Sequence, residues 1–377
     1  MHTINIDTII RKGKSNGDGW VIKLKTSTNR VVYAVAVQQS IEGRTGPTWS
    51  YLFDNDGLTI IDLGTPGSFD SFLDGYSQIN VNLQDVVKVI ITHGHSDHDG
   101  TVPEFISHTN SQLWAHTNYS YLKKYKIWEI QDRNKTVLQK ELTQIISTKI
   151  NEKDSLSKRD QYSDYYELRK TTTSNKLNDG DIIGDLKVVA SPGHSPDQIC
   201  LILDDFIFTG DHVLPEITPH PTTETVIIEN VLKTLPESFI HSDTWFGLNT
   251  YLNSLGKIIS LGDQYQLIPA HRLYNKDKFN WIGTSRAVEI ITHHEKRLLR
   301  IIENLSKNSN SLEDLTKGVF EKSKLIGSNL HAAMSEIVAH IELLIISDDI
   351  NISQDGQIDV IKNGDNFIKD LTKLKNK

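Results

Sequence analysis

Through the first half of the chain, short apolar blocks alternate with Asn, Gly and Pro punctuation, a pattern that predicts strands. Segments 21–26 (VIKLKT), 31–39 (VVYAVAVQQ) and 49–56 (WSYLFDND) are strand-like, and 58–64 (LTIIDLG) is a short buried strand closed by a Pro-Gly turn. A short helix within 68–84 precedes strand 86–92 (VVKVIIT), whose near-continuous apolar character predicts burial on both faces. A β–α–β passage follows, with a helix over 100–108 and a strand over 112–115. Further strands are predicted over 186–190, 198–203, 205–209 and 266–270, with a helix over 246–260. Val288, Ile291, Leu298, Ile302 and Leu305 mark one face of an amphipathic helix over 286–305. After the polar stretch 306–311 (SKNSNS), helices over 312–322 and 329–345 lead to 351–361, hairpin-like around an Asp-Gly turn. Helix, helix, hairpin is the outline of a winged helix. The expected organisation is a main domain over 1–305 and a small C-terminal domain over 306–377.

Residues 119–178 break the pattern. They hold 13 Lys/Arg against 8 Asp/Glu, a net of +5, in a chain whose 40 Lys/Arg and 48 Asp/Glu sum to −8. Seven aromatics lie there: Tyr119, Tyr121, Tyr125, Trp128, Tyr162, Tyr165 and Tyr166. Val137, Leu138, Leu142, Ile145 and Ile146 mark a helical face over 136–150. This segment reads as an insertion that covers something.

The overall acidity excludes a generally basic nucleic-acid coat protein. Cys200, the single cysteine, excludes an internal disulfide and reads as a small buried apolar residue. The N-terminus lacks the apolar core of a signal peptide, and no apolar run approaches the ~18 residues that span a bilayer. The expectation is a soluble cytoplasmic protein without a membrane partner.

The chemistry lies in the histidines. Thr92-His93-Gly94-His95-Ser96-Asp97-His98-Asp99-Gly100 follows the predicted strand 86–92 and puts four potential metal ligands, His93, His95, Asp97 and His98, within six residues. Imidazoles and carboxylates suit Zn²⁺ and comparable dications. Three further strands end the same way, at Pro192-Gly193-His194, Gly210-Asp211-His212 and Ala270-His271. Open α/β folds place their sites just past strand ends. Asp62, in the strand-ending IIDLG, is a candidate for orienting a ligand, and Asp99 is another. His220, Trp245, Phe246, His293 and His294 read more simply as loop, core and helix residues.

His-x-His-x-Asp-His, followed by Pro-Gly-His, Gly-Asp and a late Ala-His, resembles the metallo-β-lactamase superfamily over roughly residues 18–300. The tail resembles the winged-helix appendage of the beta-lactamase-like-2 branch. The resemblance implies an α/β fold, a four-layer αββα sandwich with metals at one edge of the two sheets. Carried over residue by residue, His93, His95 and His194 would bind one metal, Asp97, His98 and His271 a second, and Asp211 would bridge both. This is a glyoxalase II-like ligand set, with Asp97 and Asp211 as its catalytic carboxylates. The expected cofactors are two divalent ions, Zn²⁺ first, with Fe or Mn as alternatives. Two ions about 3.5–4 Å apart share a hydroxide and stabilise an oxyanion.

The substrate is less legible, since one fold hosts many chemistries. Lys123, Lys124, Tyr125, Lys126 and Trp128 interleave cations with aromatics, which suits an anionic ligand with a flat base. The leading expectation is a hydrolase of a small ester-like substrate, a thioester before a lactone or β-lactam. The alternative is a single-strand-specific endoribonuclease. From 307 to 377, 9 Lys/Arg face 11 Asp/Glu, which argues against duplex DNA and for packing, pocket-shaping or a homodimer contact.

Overall fold

The computed structural model describes residues 6–41, 43, 45–126, 130, 132, 137–149, 162–306, 311–321, 325, 328–353, 357–361 and 363–377. The first sheet runs in chain order: β1 (Ile6–Arg11), β2 (Val21–Lys25), β3 (Val31–Val37), β4 (Thr48–Asp54), β5 (Leu58–Ile61), β6 (Val86–Ile90), β7 (Gln112–His116) and β8 (Asn175–Leu177). It is antiparallel from β1 to β5 and parallel from β5 to β8. The second sheet contains β9 (Ile182–Ile183), β10 (Leu186–Ala190), β11 (Ile199–Leu203), β12 (Phe206–Gly210) and β13 (Gln266–Pro269). After the small hairpin β14 (Tyr274–Asn275) and β15 (Lys278–Phe279), β16 (Ile282–Gly283) adds to the β13 edge.

The two sheets face each other across one apolar core that includes Ile22, Val32, Trp49, Tyr51, Phe53, Leu201 and Phe208. Alternation places Val21, Val35 and Leu52 on the other face of the first sheet. There they pack with Phe72 and Tyr76 of α1 (Phe69–Tyr76). The one-turn helix α2 (Ser96–Asp99) leads into α3 (Val102–His108), whose Val102 and Phe105 join the same layer. Four layers, helix–sheet–sheet–helix, result.

α4 (Thr117–Leu122) leads into the segment 119–178, which also carries α5 (Val137–Lys149) and α6 (Ser163–Thr171), and the short α7 (Glu229–Leu232) follows later. The outer face of the second sheet packs on α8 (Leu248–Ser260) and α9 (Ser285–Leu305). α10 (Leu312–Val319), α11 (Ser328–Ile346), the hairpin β17 (Ile350–Ile352)–β18 (Ile358–Val360) and α12 (Asn366–Lys375) complete that layer. Leu315, Ile337, Val338, Leu344, Phe367 and Leu371 share one core with Leu255 and Ile291. The tail is therefore packed into the outer helical layer.

Two expectations are corrected. Strand β6 is not buried throughout: Val87 is 44% exposed, because at the start of the strand one pleat face reaches solvent. The window Asn329–Ile346 of α11 has a mean hydropathy of 1.3, long and apolar enough to cross a bilayer, contrary to the reading of the sequence. Its apolar residues are spaced by polar ones rather than run together, and 56% of the window is buried, as in the core helix of a globular layer. The Asp-Gly turn of the last hairpin and most of SKNSNS lie outside the described residues, as does Trp128.

Candidate metal centre

Strand β6 delivers Thr92 and His93 into the interior, and the chain then turns through Gly94 and His95 into α2, which carries Asp97 and His98. His194, Asp211 and His271 arrive from the ends of β10, β12 and β13 in the facing sheet. The structure brings all seven residues together in two groups. His93, His95 and His194 have ligand atoms within 4.8 Å of one another, as do Asp97, His98, Asp211 and His271.

Asp211 faces both groups. Its Oδ2 lies 3.6 Å from Nε2 of His194, while Oδ1 lies 3.5 Å from Nε2 of both His98 and His271. Asp97 closes the second group, with Oδ2 at 3.3 Å from His271 Nε2 and Oδ1 at 3.8 Å from His98 Nε2. In the first group, His93 Nε2 and His95 Nδ1 stand 2.8 Å apart.

The outer ring nitrogens are already engaged. His98 Nδ1 donates to Asp62 Oδ2 at 2.8 Å, His271 Nδ1 to the Pro47 carbonyl at 2.9 Å, and His194 Nδ1 to the His220 carbonyl at 3.0 Å. The opposite Nε2 of all three rings, and Oδ1 of Asp211, are buried without a hydrogen-bond partner among the described residues. An unpartnered buried polar atom is costly, and here they converge. That pattern fits metal ligation: one nitrogen held by the surroundings, the other presented to the ion.

Electrostatics agree with this fit. Burial, together with the other imidazoles, pushes His93 far below its ordinary value, and burial with His194 takes His95 down to about 3, so both are neutral, the ligating form. Burial alone would raise Asp211, but His271 and His98 hold it below the usual carboxylate range. Burial would lower His98, yet the Asp62, Asp211 and Asp97 carboxylates raise it well above its usual value. The carboxylates gathered around the second group thus favour a positive charge there.

Asp62 has the supporting position expected of it. It is 1% exposed, adopts φ 54°, and accepts from Thr92 N and Oγ1, each at 2.8 Å, as well as from His98. Asp99 does not face the ligand nitrogens; it sits beneath the turn, paired with Arg169 Nε at 3.0 Å and accepting from Tyr165. Arg169 also donates to the Gly94 carbonyl at 2.8 Å, and Gly94 N donates to Asp197 Oδ2 at 2.8 Å. A Cβ on Gly94 would stand 2.6 Å from Arg169 Nη2 and 2.8 Å from Tyr119 Cδ2, so a side chain there would force its neighbours to shift.

Sequence reasoning missed Arg169, Tyr165 and Asp197. Only the charge and aromatic content of 119–178 hinted at the first two. His220 contributes its backbone carbonyl to His194, and Phe246 is a core residue. His212 is buried beside Tyr251 and takes no place among the seven. Burial pushes the Cys200 thiol up to about 12, so it remains an uncharged core residue.

A cavity of about 290 Å³ opens over the turn. Its walls include His95, Asp97, His194, Tyr125, Lys126, Tyr166 and Arg169. The Lys126 ammonium lies 5.1 Å from the centre of the Tyr166 ring.

A four-layer αββα sandwich with imidazoles and carboxylates gathered at one edge of its paired sheets defines the metallo-hydrolase class of fold, with residue groups able to hold metal ions. Residues 43–271 match the family model of the metallo-beta-lactamase superfamily, well over half of the chain, and the chain belongs to that superfamily, most of whose members are hydrolases. A probable metallo-hydrolase of Bacillus subtilis strain 168, YqjP, is 28% identical over 96 residues. That match takes in 23% of this chain and 30% of the relative, so the chain spans under a third of that relative's length. Two solved structures share the fold. A beta-lactamase domain protein from Burkholderia ambifaria has a TM-score of 0.63 at 18% identity, covering 95% of this chain and 98% of its own. A metallo-beta-lactamase family protein from Thermus thermophilus has a TM-score of 0.61 at 19% identity, covering 88% and 98%.

Proposed function

We propose that this protein is a dinuclear metal hydrolase of a small, anionic, ester-like substrate, a thioester in preference to a lactone or a β-lactam. His93, His95 and His194 hold one ion, Asp97, His98 and His271 the other, and Asp211 both. Zn²⁺ is the first choice for this donor set, with Fe or Mn as alternatives. The carrying observation is Asp211, one carboxylate oxygen toward each group and Oδ1 without a hydrogen-bond partner among the described residues. Two divalent ions, when bound there, would supply hydroxide at neutral pH and neutralise charge developing on the substrate. Asp62, Pro47 and His220 fix the ring tautomers that present Nε2 inward. Arg169 and Asp197 hold the Gly94 turn, so the ligands are placed before substrate arrives.

The cavity supports the substrate class. Small-ligand pockets run from about 300 to 1,000 Å³, and this one is at the lower end, with Lys126 and tyrosines in its wall. The Lys126–Tyr166 contact also suits a stacked base, which keeps single-stranded RNA as the alternative. We take the tail as a winged-helix-like accessory to a cytoplasmic enzyme, available for a homodimer contact and without a duplex-DNA or membrane partner.

The test compares kcat/KM for an acyl-coenzyme A thioester and a single-stranded RNA oligomer in one preparation of known metal content, with Asp211→Ala as control. Thioester preference, lost in the variant, is the expected result. RNA preference falling steeply with salt would reverse the ranking. Turnover of neither would remove the substrate assignment while leaving the metal centre.

A further inference from the structure

A second concentration of histidines lies outside the seven ligands. His220, His293, His294, His331 and His340 feel one another's charge where the 213–228 loop, α9 and α11 meet. Within it, α11 carries Glu336 and His340 one turn apart, on one face, and α9 presents His294 to them. The ligand atoms of His294, Glu336 and His340 lie within 4.8 Å of one another.

Each group is set up to ligate. His340 Nδ1 donates to the Glu336 backbone carbonyl at 2.6 Å, which leaves Nε2 with its lone pair. That Nε2 faces His294 Nδ1 at 3.0 Å, and both rings are fully buried. Arg297 pairs with Oε1 of Glu336, holding the carboxylate in place and leaving Oε2 for another partner. His294 turns Nδ1 toward this pair and would ligate through it once that nitrogen's proton is displaced, with Nε2 on the far side of the ring.

The main centre shows the same facing of ring nitrogens, at 2.8 Å between His93 and His95. Two nitrogens bound to a tetrahedral ion at about 2.0–2.1 Å stand about 3.3 Å apart, so small movements admit an ion in either place. A hydrogen bond between two imidazoles explains the 3.0 Å spacing. It does not explain a carboxylate within reach of both nitrogens.

We propose that His294, Glu336 and His340 form a separate site for a transition-metal dication of the Zn²⁺, Co²⁺ or Ni²⁺ kind, clamping α11 to α9. Three protein ligands leave one position for solvent. A cavity of about 100 Å³ reaches α11 at His331 and Ser335, next to Glu336. The nearby Arg297 guanidinium weakens cation affinity, so this site fills after the main centre. Its role is structural. α11 also meets the loop that orients His194, through Ser335 Oγ at 3.5 Å from His220 Nε2.

The test titrates the metal-free full-length protein with Co²⁺ and counts bound equivalents, following visible absorption. The expected result is one equivalent more in the wild type than in His340→Gln. Glu336→Gln, at a half-buried position, guards against misfolding of the first variant and weakens that equivalent by about tenfold or more. A His93→Ala/Asp211→Ala double variant keeps it, with a Co²⁺-dependent rise in Tm that adding His340→Gln abolishes. A wild type that binds no more Co²⁺ than His340→Gln and Glu336→Gln do overturns the proposal, whatever the main centre binds. So does an extra equivalent that both substitutions leave unchanged.

Discussion

The guanidinium of Arg169 donates through Nη2 to the carbonyl oxygen of Gly94 at 2.8 Å, tying helix α6 of the insertion to the turn between His93 and His95. Its Nε pairs at 3.0 Å with Asp99, a fully buried carboxylate on the far side of the same turn. The insertion is thus a clamp on the metal loop as well as a wall of the cavity. Arg169→Met leaves Asp99 buried without its cation, and we expect a loss of about 3 kcal/mol in urea unfolding. Metal affinity should fall by about 10–100-fold, as for other residues that orient a ligand. Unchanged metal affinity and unfolding midpoint would show the contact to be incidental.

Asp62 acts on His98 through one carboxylate oxygen, at a backbone φ of 54°. Asn tolerates that conformation, so Asp62→Asn tests charge with little added strain. Metal affinity at the centre should drop by about 10–100-fold, with kcat following it. A competition titration against a chelator reads the first effect directly.

Among the described residues, Asp211 is the side chain that faces both ligand groups. Asp211→Ala should lower kcat/KM by on the order of 10³-fold, since stabilising the charge that develops in the transition state usually contributes more to catalysis than any other single effect. Metal analysis of the same preparation should show fewer ions at the centre, while circular dichroism stays near that of the wild type. Near-native turnover with metal present would displace Asp211 from its assigned role.

Gly94 is hemmed in by Arg169, Tyr119 and Asp197, the last with Oδ2 at 2.9 Å from where a Cβ would stand. Overpacking of this kind costs about 1–3 kcal/mol. Gly94→Ala should therefore unfold at lower denaturant concentration and lose activity through displaced His93 and His95. Recovery of metal binding on also truncating Tyr119 would trace the loss to crowding.

Glu342 of α11 is 6% exposed, and its Oε2 accepts from the Glu224 backbone N–H at 2.7 Å. Burial raises its carboxyl well above the ordinary value, and the Glu224 N–H only partly offsets that. The folded chain then keeps a proton that the unfolded chain releases above about pH 4.3, so stability from this group is lost as pH rises toward the folded pKa. Glu342→Gln removes that loss. The variant should melt close to the wild type near pH 4 and increasingly above it as pH rises from there toward the folded pKa; a difference that does not grow with pH would refute the assignment.

Much of the fold was written locally. Strands 186–190 and 31–37 and helices α8 and α9 follow from apolar periodicity, because period and burial are coupled within a single element. The four strand-ending turns, with His93, His95, Asp97 and His98 on the first, put ligand-type side chains where strand ends open. The spacing of those residues determined which chemistry the chain is equipped for. What the tertiary structure alone decided is how the turns meet. Two sheets had to stack before Asp211 and His271 faced His98 across their interface. Arg169 stands 75 residues from Gly94, and no local signal couples them. The same holds for Glu336 and His340 against His294, which joins a helix read as amphipathic to one read simply as a helix. Burial and charge act through space, so groups brought together by packing acquire their roles only when the chain has folded around them.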